Sequence, residues 1–231
     1  MEHDPASGAI WYGAFLFSTV CHEASHAWVA SRLGDETARK GGQVTLNPVP
    51  HIRREPFGMA VVPVLSWYLG GWIIGWASAP YSVAWARQYP RRAALMALAG
   101  PGTNLALALA AGLLIRLGYE WGVFVAPFTL TMSSLATGPG GGIIALAAQL
   151  LSIFLSLNLL LCLFNMIPLP PLDGSNAPLL LLPPGGAKMY SELLRNPVLR
   201  YAGILIAWWL IPPILPRLLL AVTGALYFSS H

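Results

Sequence analysis

The chain has 231 residues, 56% of them hydrophobic and only 10% charged, with a mean hydropathy of +0.61. Soluble domains carry about 25% charged residues, so this composition excludes a soluble globular fold and implies a protein built into a membrane. The formal net charge of +4 does not call for nucleic acid, because no stretch interleaves Lys or Arg with aromatics and basic residues in membrane proteins mark cytoplasmic loops.

Residues 1–7 read as a short polar tail without the basic start of a cleavable leader. Residues 8–33 carry no charge before Glu23 and no Lys or Arg before Arg32. At 1.5 Å per residue they reach about 39 Å as a helix, enough to cross a bilayer. Residues 34–56 are polar and basic, and within them Gly42-Gln43-Val44-Thr45-Leu46-Asn47-Pro48 reads as a short strand ended by Asn-Pro. Residues 57–77 are apolar but broken by Pro63, Gly70-Gly71 and Gly75, with extended chain expected through 76–83.

A basic stretch at 87–92 precedes a clean Ala/Leu-rich span over 93–117, interrupted early by Gly100-Pro101-Gly102-Thr103-Asn104. Residues 119–142 are mixed and end in a glycine-rich loop; 143–166 is a second clean span. Pro168 biases Ile167 away from helix, so that span stops near Met166 and gives way to an irregular Pro-rich run through Gly174. After a basic segment at 188–200, a last apolar segment over 201–228 is expected to kink or split at Pro212-Pro213 and Pro216.

These elements predict an all-α membrane protein: a polytopic bundle of about four to six transmembrane segments. It would carry a small membrane-associated β element, from 42–47 and 76–83, and a proline-broken helix. One domain is expected over 1–231, with a core at 8–180 and a C-terminal transmembrane segment at 198–228. If the first helix runs inward and 57–77 does not cross, 11 of the 13 basic residues share one side, which is then cytoplasmic.

The chemistry concentrates in Cys21-His22-Glu23-Ala24-Ser25-His26. Four residues turn about 400° on a helix, so His22 and His26 share a face. Two imidazoles so placed can take two corners of a zinc tetrahedron, with Glu23 beside them to reach a metal-bound water. Chance placement yields the pattern in about 0.3 per cent of chains of this composition, and its position inside an apolar span, where such side chains are expensive, makes it a functional site by default.

A third ligand is then needed. Of nine acidic residues, only Glu23 and Asp173 are embedded in apolar sequence. Asp173 is the best candidate, since irregular backbone at membrane depth lines protein or a water-filled cavity. The alternative is an aspartate capping an exposed turn beyond the membrane. Cys21 and Cys162 read as small buried hydrophobes rather than a disulfide, with a ligand or redox role as the minority reading.

The ordered set of His22-Glu23-Ala24-Ser25-His26, Gly100-Pro101-Gly102-Thr103-Asn104 and Asn165-Met166-Ile167-Pro168-Leu169-Pro170-Pro171-Leu172-Asp173-Gly174 resembles the site-2 protease family of intramembrane zinc metalloproteases. Within it the chain is most similar to the compact prokaryotic branch without a PDZ domain. The resemblance runs from about residue 10 to 180 and is supported by Gly42–Asn47 and Gly75-Trp76-Ala77. It implies one zinc per chain held by His22, His26 and Asp173, with Glu23 as general base acting on a zinc-activated water. It implies that Asn165 holds the substrate carbonyl or oxyanion and that Asn104 serves packing, support of a ligand or substrate contact, with a plain helix–helix hydrogen bond as the alternative for Asn104.

The implied partners are a transmembrane protein substrate and membrane lipids, with no nucleic acid; the implied location is a prokaryotic cell membrane. A polar cavity should open to the cytoplasm, and the β element could hold an unwound substrate by edge addition. The sequence departs from the family at Ile52–Glu55 after His51, at Ser78 and at Ser175; none of these removes a ligand, and His51 reads as structural. A zinc-binding scaffold without proteolysis and an ion transporter using the same residues are the competing readings.

Overall fold

The computed structural model describes residues 4–227. Helix α1 (Pro5–Arg32) starts at Asp4, whose carboxylate accepts the N–H groups of Ala6 and Ser7, with Pro5 in the first turn where a missing donor costs nothing. Two short helices follow, α2 (Thr37–Lys40) and α3 (Pro48–Arg54). A π-helical turn (Phe57–Val61) runs into α4 (Val62–Gly70), and extended chain then leads to α5 (Val83–Gln88). The long helices α6 (Pro90–Glu120) and α7 (Gly142–Asn165) come next. After the Pro-rich run stand a 3-10 helix (Asp173–Leu180), α8 (Pro184–Leu193) and α9 (Pro197–Tyr227).

Helix α6 is the centre of the bundle, packing against α1, α7, α9 and the 3-10 helix. Its Ala108, Ala111 and Ile115 are buried in a cluster with Ala148 and Leu155 of α7 and Leu219 and Leu226 of α9. Small residues let helices approach closely where lipid supplies no hydrophobic drive for association. Between α6 and α7 the chain is irregular, and its backbone is satisfied by side chains, as a water-poor setting requires. Ser152 Oγ accepts the N–H groups of Leu135 and Ala136, and Tyr227 donates its hydroxyl to the Leu135 carbonyl.

Three helices among the described residues, α6, α7 and α9, are long and apolar enough to cross a membrane. This is fewer than the four to six segments expected. Helix α1 has the length, at 28 residues, but His22, Glu23 and His26 lower its hydropathy, and much of it is buried in the bundle. The helical part of 57–77 comprises only the five-residue π-turn and the nine-residue α4. That amounts to about 21 Å against the roughly 30 Å of a bilayer core. The prolines at 212, 213 and 216 neither split nor end α9, which is continuous over Pro197–Tyr227. Phe228, the last residue of the expected terminal segment, lies outside the described residues.

The expected β element is a misreading: no β-strand exists among the described residues, only two isolated bridges in the α6–α7 connection, Val125–Thr137 and Thr131–Ser134. Residues 42–47 form turns because short polar side chains capture the backbone. Thr45 Oγ1 accepts the Asn47 N–H, and Asn47 Oδ1 accepts the Val49 N–H to cap α3. Residues 73–82 form neither helix nor strand and pair in no ladder; they are held by single bonds such as Trp76 N–H to the Gly58 carbonyl.

Candidate metal centre

His22 and His26 point from α1 into the bundle, and both are buried, as is Glu23 between them. Their Nε2 atoms are 2.9 Å apart. Asp173 opens the 3-10 helix and brings its Oδ2 to 3.1 Å from His22 Nε2 and 3.4 Å from His26 Nε2. The Pro-rich return that delivers it depends on Gly174, where a Cβ would collide with the Met166 backbone. The three expected ligands are therefore brought together from two distant segments, and they form one group able to hold a metal ion.

The far side of each imidazole is set by α6. His26 Nδ1–H donates to the Met96 carbonyl at 2.7 Å, which leaves its Nε2 as a lone pair. His22 Nδ1 lies 2.6 Å from Asn104 Oδ1. One helical turn from each of these partners stands Gly100, and a Cβ there would run into the Nε2 atoms of both histidines. Residues 96, 100 and 104 thus present a carbonyl, a hole and an amide along one face of α6.

The residues fit zinc. Asp173 Oδ2 is buried and receives no hydrogen bond. It faces two imidazole nitrogens, and in neutral rings that carry their proton on Nδ1, toward α6, three electron-rich atoms converge with nothing donated between them. That arrangement is repulsive without a cation. The spacings of 2.9, 3.1 and 3.4 Å lie at or a few tenths of an ångström below the edges, about 3.3–3.4 Å, of a tetrahedron with arms of about 2.0–2.1 Å, so a small spreading of the ligands seats the ion.

Among the described residues, no hydrogen bond or ion pair joins Asn165 to the three ligands. It is the last residue of α7, and its Nδ2 donates to the Leu161 carbonyl at 3.0 Å. His51 is buried, with Nε2 at 3.0 Å from the Thr45 carbonyl. Cys21 and Cys162 are free thiols. Sequence reasoning placed Gly100 in a family motif without giving it a role, and it missed Met96 and Asn158 of α7, whose Oδ1 accepts from Asn104 Nδ2 at 2.8 Å. For Asn158 a signal existed: an amide within Leu157–Leu161 is costly at membrane depth.

The family model described as "Peptidase family M50" matches residues 11–206. The chain is 35% identical over 171 residues to "Putative zinc metalloprotease YwhC" of Bacillus subtilis, covering 74% of this chain and 68% of the relative. It is 32% identical over 161 residues to "Putative zinc metalloprotease Rip2" of Mycobacterium tuberculosis, covering 69% and 52% respectively. Over 95 residues it is 35% identical to the protein of the same name from Mycolicibacterium smegmatis, covering 41% and 35%. The alignment thus spans only about half or less of the two mycobacterial relatives. No solved structure gives a significant match. Together with the convergence of His22, His26 and Asp173, the match places this chain in the M50, or site-2 protease, family of membrane-embedded zinc metalloproteases.

Proposed function

We propose that the chain hydrolyses peptide bonds in or near the transmembrane segments of other membrane proteins, as one membrane-embedded domain over 1–231 with its working core at 8–180. The observation that carries this reading is the buried, undonated Oδ2 of Asp173 facing two imidazole lone pairs beside a glutamate. When bound there, zinc supplies a Lewis acid and makes water nucleophilic near neutral pH.

The chain's own residues supply the rest. Glu23 follows His22 on α1 and is buried, so its carboxylate works in a setting of low dielectric. It takes the proton of the attacking water and passes it to the leaving amine. Asn165 commits one amide hydrogen to Leu161; its second hydrogen is available to the oxyanion that forms on the substrate carbonyl. Asn104 keeps His22 turned toward Asp173. A cavity of about 320 Å³ borders the segment carrying Asp173, lined by Pro170, Pro171, Ser175 and Asn176, with Arg87 and Arg195 in its wall. It supports a water route from the basic, cytoplasmic face.

The test is a purified protein assayed for zinc content and for cleavage of a detergent-solubilised transmembrane substrate. The reading requires about one zinc per chain, and a Glu23→Gln protein that keeps the zinc and loses cleavage. Undiminished function in Glu23→Gln would make the protein a scaffold, and absence of tight zinc in the wild type would favour an ion relay.

A further inference from the structure

The hydrogen bonds behind His22 do not end at Asn104. Asn104 is fully buried, and its Nδ2 donates to Asn158 Oδ1 at 2.8 Å. Asn158 is fully buried as well, and its Nδ2 donates to the Phe154 carbonyl at 2.9 Å and to Ser18 Oγ at 2.9 Å. The chain therefore runs from a ligand on α1, through α6, to the backbone of α7 and back to α1.

Its direction is fixed at one end. A backbone carbonyl only accepts, so Phe154 holds the NH₂ of Asn158 toward itself and turns Asn158 Oδ1 toward Asn104. An amide facing that oxygen must present its own NH₂, which turns Asn104 Oδ1 toward His22. His22 Nδ1 must then carry its proton, and Nε2 is left as the lone pair that faces Asp173. His26 reaches the same state in one step through the Met96 carbonyl.

We propose that Asn158 is a positioning residue for the metal site, holding Asn104 in the one orientation that keeps His22 in its Nδ1–H form with Nε2 ready for the metal. The inference rests on the zinc reading given above, yet it concerns the amide relay and not hydrolysis. Ser18 is the second acceptor of the same NH₂ and leaves the Phe154 anchor intact when removed.

The experiment measures zinc affinity of the full-length protein in detergent by competition with a chromophoric chelator. Asn158→Ala should weaken zinc by about 10–100-fold, the range found for partners that orient metal-binding histidines. Adding Asn104→Asp in that background should restore most of the loss, because a carboxylate offers oxygen to His22 in either orientation. Ser18→Ala should bind nearly as the wild type does.

Unchanged affinity in Asn158→Ala would overturn the proposal, as would a loss that Asn104→Asp does not rescue, since that would mark Asn158 as packing only. If Asn158→Ala does not fold, ¹⁵N–¹H NMR of the zinc-loaded wild type decides: the relay demands a protonated Nδ1 on His22, and coordination through Nδ1 would sink it. Failure of the wild type to bind zinc is a separate result, which removes the zinc reading itself.

Discussion

Gly100 stands against His22 so closely that its missing side chain is part of the site: a Cβ at residue 100 would occupy the space of the His22 imidazole edge. The same Cβ would meet His26. Gly100→Ala therefore displaces both rings while leaving every ligand in the chain. It should lower zinc affinity by roughly tenfold or more with helix content unchanged, as read by chelator competition and circular dichroism. Wild-type affinity in this variant would mean that the rings have room the structure denies them.

Removal of ligands and of the base should separate binding from chemistry. Asp173→Ala leaves two imidazoles and should abolish tight zinc along with cleavage. Glu23→Gln should keep the metal and lower cleavage by at least about 100-fold. Stripping zinc with a chelator should silence the wild type, and added zinc should restore it. The check is metal content and turnover measured on the same samples.

Asn165 offers a sharper split. Its one recorded bond is local, to Leu161, so Asn165→Ala should leave zinc content and thermal stability near wild type. Cleavage should fall by about 10²–10³-fold, the cost of one oxyanion donor. A variant that also loses zinc would assign Asn165 to the architecture of the metal site instead.

A pH effect follows from Asp35, in the turn after α1. Burial alone would raise its carboxyl. The Thr37 hydroxyl at 2.5 Å, the Ser82 N–H at 2.7 Å and the Thr37 N–H at 3.0 Å outweigh that and hold it below its ordinary value. A carboxylate lowered by folding stabilises fully above its unfolded pKa, about 3.9, and loses that contribution as pH falls toward the folded value. Asp35→Ala should therefore cost about 1–3 kcal/mol near pH 7, with the gap to wild type closing below about pH 4. Thermal unfolding in detergent at pH 7 and pH 3 measures it, and a gap independent of pH would contradict the assignment.

The metal ligands His22, His26 and Asp173, and Glu23 beside them, were legible in sequence for a physical reason: they are polar side chains in apolar stretches, where their cost has to be offset by function. Of their partners, Asn104 was among the residues expected to support a ligand, and it does lie against His22. Met96 acts through its carbonyl and Gly100 through the lack of a side chain, so both roles depend on which face of α6 meets α1, and one sequence does not set that alignment. The helical bundle and the ends of α7, expected at 143–166 and found at Gly142–Asn165, followed from hydropathy and proline, whereas α6 runs three residues past each end of the expected 93–117 and is not interrupted at Gly100-Pro101. The strand expected at 42–47 did not form, because Val44 and Leu46 suggest β propensity while Thr45 and Asn47 divert the backbone into turns. Fewer helices than expected are long and apolar enough to cross a membrane among the described residues, because His22, Glu23 and His26 lower the hydropathy of α1 and because α4 has only nine residues.

The order of contacts between α1 and α6 has one more consequence. The earlier histidine, His22, meets the later residue, Asn104, and His26 meets Met96, so the two helices run past each other in opposite senses. A slip of one turn would bring either the Met96 or the Asn104 side chain to the place where the hole at Gly100 has to be. Only one alignment lets both rings fit, and the metal site thereby serves as a vernier that fixes how far α1 slides along α6.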